Sequence, residues 1–230
     1  MLRRLITVGV AAAGVGLAVT GCAVTPLKMG AAAIVDSDRI TVATLDTEVS
    51  NLRQAAAQYP GVVTLTPQQM TQQTLTWLVR FQINEELARR NGITITPAQA
   101  QAALDEAYAQ AKASAESAGL ANPSLAEIMA ANGIPPNLSA ELGRYEAIDN
   151  AYARSVNGGK LPASSSAASA VDAKLSHAQC LAAKSLSIQV NPQYGRMDYA
   201  DYSIVSAPAT VWRPAGPAKA ASMQGLTPAC

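Results

Sequence analysis

The stretch Leu75-Thr76-Trp77-Leu78-Val79-Arg80-Phe81-Gln82-Ile83-Asn84-Glu85-Glu86-Leu87-Ala88-Arg89-Arg90-Asn91-Gly92 decides the fold. Its apolar residues recur at helical spacing: Leu75, Leu78, Val79, Ile83 and Leu87 cover a wide arc. Trp77 and Phe81, with Met70 two turns upstream, cover much of the rest. A helix that is apolar on most of its sides must be surrounded by others. Thr66-Pro67 starts it, with a capping hydroxyl and a proline at the first helical position, and Asn91-Gly92 stops it. The spacing predicts a central helix over about 67–91 and a mainly α-helical domain around it.

Outward from that helix the chain alternates stop and start signals. Upstream, residues 31–40 read as strand, turn and strand, with Asp36-Ser37-Asp38 at the turn. Thr41 can cap a first helix whose stripe is Leu45, Val49, Leu52 and Ala56, broken at Pro60-Gly61. Downstream, Thr96-Pro97 opens a third helix to about 118, with the mostly small face Ala100, Leu104, Ala107, Tyr108, Ala111 and Ala115. The Ser124/Glu127 pair predicts a capping box for a short fourth helix bearing Leu125, Ile128 and Met129. A fifth, over about 137–156, carries Leu138, Leu142, Tyr145, Ile148 and Tyr152. Residues 157–169, with Gly158-Gly159 and Ser164-Ser165-Ser166, read as a flexible linker. A sixth helix over about 170–186 and an alternating strand, Ser187 to Val190, follow. The Pro/Ala-rich residues 199–230 are expected to form an irregular tail.

The N-terminal residues point to an address. Met1-Leu2-Arg3-Arg4 precedes an apolar run from Leu5 to Val19, shorter than the ~20 residues that span a bilayer. Val19-Thr20-Gly21-Cys22 then resembles the bacterial lipobox. That resemblance implies a signal peptide over 1–21, cleavage before Cys22, a diacylglyceryl group on its thiol and often a further acyl chain, such as palmitate, on the new amine. Residues 22–30 would be a lipidated tether, holding the protein to the membrane on its extracytoplasmic face, in the cell envelope or periplasm. An ordinary cleaved signal peptide and an uncleaved anchor helix are the alternatives. Removing residues 1–21 takes two of seventeen basic residues and none of sixteen acids, so the net charge moves from +1 to about −1. No basic surface for nucleic acid is implied.

Cys180 and Cys230 are the other two cysteines. An oxidising compartment permits a disulfide between them, closing a loop of about fifty residues for roughly 4 kcal/mol in the chain-entropy model. Two free thiols are the alternative. The helical projection sets Cys180 opposite Val171, Leu175, Ala178 and Ala182, beside His177 and Lys184, and so predicts a surface position.

No catalytic constellation emerges, and neither cofactor nor metal is expected. His177 is the one histidine, and His177 with Cys180 makes half a metal site at most. Glu85-Glu86 and Asp105-Glu106 are helix neighbours pointing about 100° apart and read as solvated surface. Gly158-Gly159-Lys160 lacks the rest of a phosphate loop. Met70, Trp77 and Phe81 have two readings: they are core, or they floor an apolar groove for unfolded segments, with Tyr108 and Met129 along its sides.

Three stretches together resemble the N-terminal domain of SurA-type periplasmic chaperones and PrsA-type foldase lipoproteins. They are Ala33-Ile34-Val35-Asp36-Ser37-Asp38-Arg39-Ile40-Thr41-Val42; Leu75 to Gly92 followed by Ile93-Thr94-Ile95-Thr96; and Ala182-Ala183-Lys184 through Val190-Asn191-Pro192 to Tyr194-Gly195. The resemblance covers about 31–198 and implies some six helices, with a two- or three-stranded element formed by the opening and C-terminal strands. Full members carry a parvulin-type prolyl isomerase between the fifth and sixth helices, where this chain has only residues 157–169. An independent domain needs at least ~50 residues. The resemblance therefore implies a non-catalytic chaperone-like module whose partners are unfolded or secreted polypeptides. The alternative is an adaptor lipoprotein that docks one specific envelope protein.

Overall fold

The computed structural model describes residues 29–206, which form six α-helices, two small antiparallel sheets and one 3-10 turn. The expected signal peptide, Cys22 with most of its tether, and the end of the chain from 207 to Cys230 lie outside the described residues.

Strands β1 (Ala31–Val35) and β2 (Asp38–Thr41) form a hairpin whose turn sets Asp36 at φ 55°. Asp tolerates that left-handed conformation better than most residues. A third strand, β3 (Ile188–Val190), joins the other edge of β1, pairing Ala33 with Val190 and Val35 with Ile188. The order is β2-β1-β3, all antiparallel. Ala31, Ala32 and Ala33 are at most 1% exposed, because methyl side chains let neighbours close over both faces of the strand.

Thr41 caps α1 (Val42–Gln58), and the break at Pro60-Gly61 leads to α2 (Pro67–Arg90). Complete capping boxes, Thr66 with Gln69 and Thr96 with Gln99, start α2 and α3 (Pro97–Ser117). At α4 (Leu125–Ala131) the cap is Ser124 alone, its hydroxyl accepting from the Glu127 N–H at 3.2 Å. A 3-10 turn, Pro136–Leu138, feeds α5 (Ser139–Val156). The central helix is enclosed as its composition requires: Leu75, Val79, Ile83 and Leu87 are 0–2% exposed, in one cluster with Ala33, Ile148, Ala182 and Ala183. Each fully buried leucine or isoleucine contributes about 2 kcal/mol by transfer from water. α3 lies along α5, and Gly143 is what lets it: a Cβ there would stand 2.7 Å from the Ala100 carbonyl oxygen and 3.1 Å from Leu104 Cβ.

Two expectations need correction. Helix α6 (Ser165–Ser185) starts five residues before the anticipated 170, so the linker shrinks from 157–169 to 157–164. The serine run is its start signal, with the Ser164 hydroxyl accepting from the Ala167 N–H at 3.2 Å. The tail expected over 199–230 is not irregular throughout. Strand β4 (Arg196–Asp198) pairs with β5 (Ser203–Val205) in a hairpin laid against α2. Its anchors are the polar row of α2. Thr76 Oγ1 accepts from the Ile204 N–H at 2.8 Å, and Arg80 donates to the carbonyls of Asp201 at 2.6 Å and Tyr202 at 3.2 Å. Gln72 donates to the Tyr194 carbonyl at 3.2 Å. Gly195, at φ 137°, passes so close to β5 that a Cβ would meet the Val205 carbonyl at 2.3 Å.

Candidate functional site

The stripe carrying Met70, Trp77 and Phe81 is covered differently along its length. Met70, near the start of α2, is buried with Leu52, Ala55 and Ala130 of α1 and α4. Phe81 is 9% exposed and packs with Leu104, Met129, Ile134, Leu138 and Leu142. Both belong to the core. Trp77, between them, remains half-buried and lines a groove of about 220 Å³ bounded by α2, α3, α4 and α5. Tyr108 and Met129 line it too, so three of the five residues proposed for peptide contact meet there and two do not. Met129 is its buried floor, 1% exposed. Leu104, Ala107, Ala111, Leu125, Ile128 and Leu142 make the walls apolar. The small residues of α3 leave the space open: Ala107 and Ala111 stand where longer side chains would fill it.

The aromatic side chains are held in place. Trp77 Nε1 donates to the Asn132 carbonyl at 3.4 Å, and the Tyr108 hydroxyl donates to the Pro123 carbonyl at 3.0 Å. The Trp77 ring meets Phe81 at 5.8 Å and Tyr145 edge-on at 5.8 Å, geometries that aromatic pairs favour. Arg80 lies over the Trp77 ring at 5.3 Å, and Lys112 over Tyr108 at 6.0 Å.

Half-buried acidic groups beside this groove are the feature of the site that sequence reading missed. Glu146 lines the groove, and burial raises its carboxyl above the ordinary range. One turn along α5, Asp149 is pushed up to about 7, first by burial and then by the charge of Glu146. Hydrogen bonds from Asn84 and Gln179 pull the other way without cancelling this. Gln179 Nε2 reaches Asp149 Oδ1 at 3.3 Å and the Tyr145 hydroxyl at 3.4 Å. Asn84 donates to the Tyr145 carbonyl at 3.0 Å, while its own Oδ1 is buried without a partner. Burial, with Asp149 adding to it, also raises the Tyr145 phenol. The signal was present in Glu146 and Asp149 at helical spacing beside apolar Leu142 and Tyr145, a pair that no motif marks.

Elsewhere the charges are satisfied. Glu85 is ion-paired with Arg144 and its side chain stays 42% exposed, whereas Glu86, paired with Arg89, is buried and departs from the solvated surface expected of it. The Arg89 hydrogen bonds hold Glu86 below the usual carboxylate range. Asp105, Glu106 and His177 are exposed. A larger hollow, about 340 Å³, lies between the start of α3 and α5, but its one charged residue, Arg144, is committed to Glu85 and to the Ile95 carbonyl. Among the described residues no three His, Cys, Asp or Glu side chains cluster as metal ligands, and no helix is long and apolar enough to cross a membrane.

Cys180 departs from its expected surface position. It is 6% exposed and disulfide-bonded, its partner lying outside the described residues, as Cys22 and Cys230 both do. The helical projection failed because α6 buries Ala182 and Ala183 together with Cys180, a broader face than its apolar row defines. Searches of protein-family models, curated proteins and solved structures return no match to this chain.

Proposed function

We propose that this protein is a membrane-tethered, extracytoplasmic, non-catalytic chaperone-like module that binds apolar segments of unfolded or secreted polypeptides at the Trp77 groove. The observation that carries the reading is the groove itself: an apolar hollow with a fixed but accessible tryptophan at its side and a methionine floor. Apolar clefts with a few polar groups are where flexible ligands bury surface, and Met adapts to varied partners. The resemblance of three stretches to SurA-type and PrsA-type domains supports the same reading, as does β3 returning to β1. Cys22 would carry the lipid. Its lipidation would leave Cys230 as the one cysteine for Cys180, a pairing that peptide mapping under non-reducing conditions reads directly.

The test is aggregation of a chemically unfolded client in the presence of the chain without residues 1–22. Suppression is expected, and Trp77→Ala should weaken it by about threefold or more while circular dichroism shows a folded helical protein. Phe81→Ala is a poor probe, because a buried aromatic removed costs about 3–5 kcal/mol. Suppression by neither protein would refute the chaperone reading. The volume of the groove, about 220 Å³, also suits an adaptor that docks one or two side chains of a single envelope protein. Saturable binding to one protein with indifference to unfolded clients would establish that alternative.

A further inference from the structure

We propose that the Trp77 groove selects polypeptide segments in which an apolar side chain is followed within two residues by Lys or Arg, the apolar group entering the groove and the cation resting on Glu146. This rests on the reading of the groove as a polypeptide site and adds the chemistry of what enters it.

Glu146 is the one charged residue lining the groove, whose remaining walls are apolar apart from Asn132 and the hydroxyl of Tyr108. Among the described residues the Glu146 carboxyl has no hydrogen bond and no ion pair. The nearby cations are engaged elsewhere: Arg80 by the carbonyls of Asp201 and Tyr202 over the Trp77 ring, Lys112 over Tyr108. Arg144, two residues before Glu146, is tied to Glu85 on another side of α5. A carboxyl lacking a partner in such surroundings loses solvation without compensation, and an incoming cation restores it. The rise of Glu146 above the ordinary carboxylate range, caused by burial, agrees with a group that no cation is paired with. An apolar cleft with one such acid therefore favours a segment that is apolar and basic over one that is apolar and neutral, and disfavours an acidic one.

The experiment is calorimetric titration of the chain, without residues 1–22, with two short capped peptides that differ only in Phe-Lys-Leu against Phe-Gln-Leu. The lysine peptide should bind about tenfold more tightly, a preference that shrinks in high salt. Glu146→Gln should reduce the ratio of the two affinities to about twofold or less. Equal affinity of both peptides for the unaltered chain, or a lysine preference that survives Glu146→Gln, overturns the proposal and leaves the groove a peptide site. The chain's own Val211-Trp212-Arg213 has the same apolar-basic character and is the competing occupant. Peptide binding seen only after Trp212→Ser Arg213→Ser would assign the groove to that segment and overturn a separate partner. Binding of neither peptide to any of these forms overturns the reading of the groove as a polypeptide site.

Discussion

Gly143→Val should destabilise the folded protein by about 3 kcal/mol or more. The Cβ that any substitution adds meets the Ala100 carbonyl oxygen at 2.7 Å and Leu104 Cβ at 3.1 Å. The first of these is backbone inside α3 and cannot rotate aside. Overpacking a tight site generally costs about 1–3 kcal/mol, and a branched side chain adds a second methyl to the same clash. A glycine inside an exposed helix would behave oppositely, since alanine gains about 1 kcal/mol there from helix propensity. Gly143→Ala sets the two effects against each other, and a net loss of about 1 kcal/mol is expected. Chemical denaturation of both variants checks the ranking. A more stable Gly143→Ala would show that α3 yields without cost. The groove should suffer too, because Leu104 and Leu142, on either side of this contact, both line it.

The second large effect concerns pH. Asp149 titrates near 7 in the folded chain against an ordinary value of 3.8. Between those values the unfolded chain has released this proton while the folded chain retains it. Stability therefore falls as pH rises from about 4 to 7, and it is level above. The full shift corresponds to about 4 kcal/mol, but the carboxyl is only half-buried, and solvent screening reduces the expected loss to about 2 kcal/mol. Glu146 contributes in the same direction. Glu86, whose carboxyl is held low, acts oppositely and only below its ordinary value of 4.5, so the two windows overlap only between 3.8 and 4.5. Asp149→Asn should flatten the curve between pH 5 and 7.5 and raise stability at pH 7.5 by about the same 2 kcal/mol. Unfolding midpoints across that range provide the measurement, and an unchanged slope in the variant would remove Asp149 as its source.

How much of this was legible depends on which face of a helix carries the information. The apolar arc of α2 announced its own burial, and the Thr-Pro starts at residues 66–67 and 96–97 placed two helix boundaries correctly. The polar row Gln72, Thr76 and Arg80 carries no apolar signal that would mark it for packing. It is nonetheless the platform for the β4–β5 hairpin, whose strands of three residues each are too short to show alternation. Ser164-Ser165-Ser166 read as linker because serine favours linkers and caps alike. Met70 and Trp77, a heptad apart, do share a face, but about 10 Å of helix separates them, and each end meets different neighbours. Periodicity supplies direction around the axis and not what waits there. Glu146 shows the limit most clearly, since its setting depends on α2, α3 and α4 together.

Strand β1 is central in its sheet, with β2 on one edge and β3 on the other. Its first partner follows within a few residues, but Ala33 finds Val190 only after α1 through α6 have been made. A chain delivered from its N-terminus therefore displays one open strand edge until nearly the whole domain has emerged. Such non-local closure slows folding, and an unpaired edge invites pairing with other chains. The final lock is the late strand, so a chain that stops short of Ile188 should keep its helices and yet fail to become a single cooperative unit.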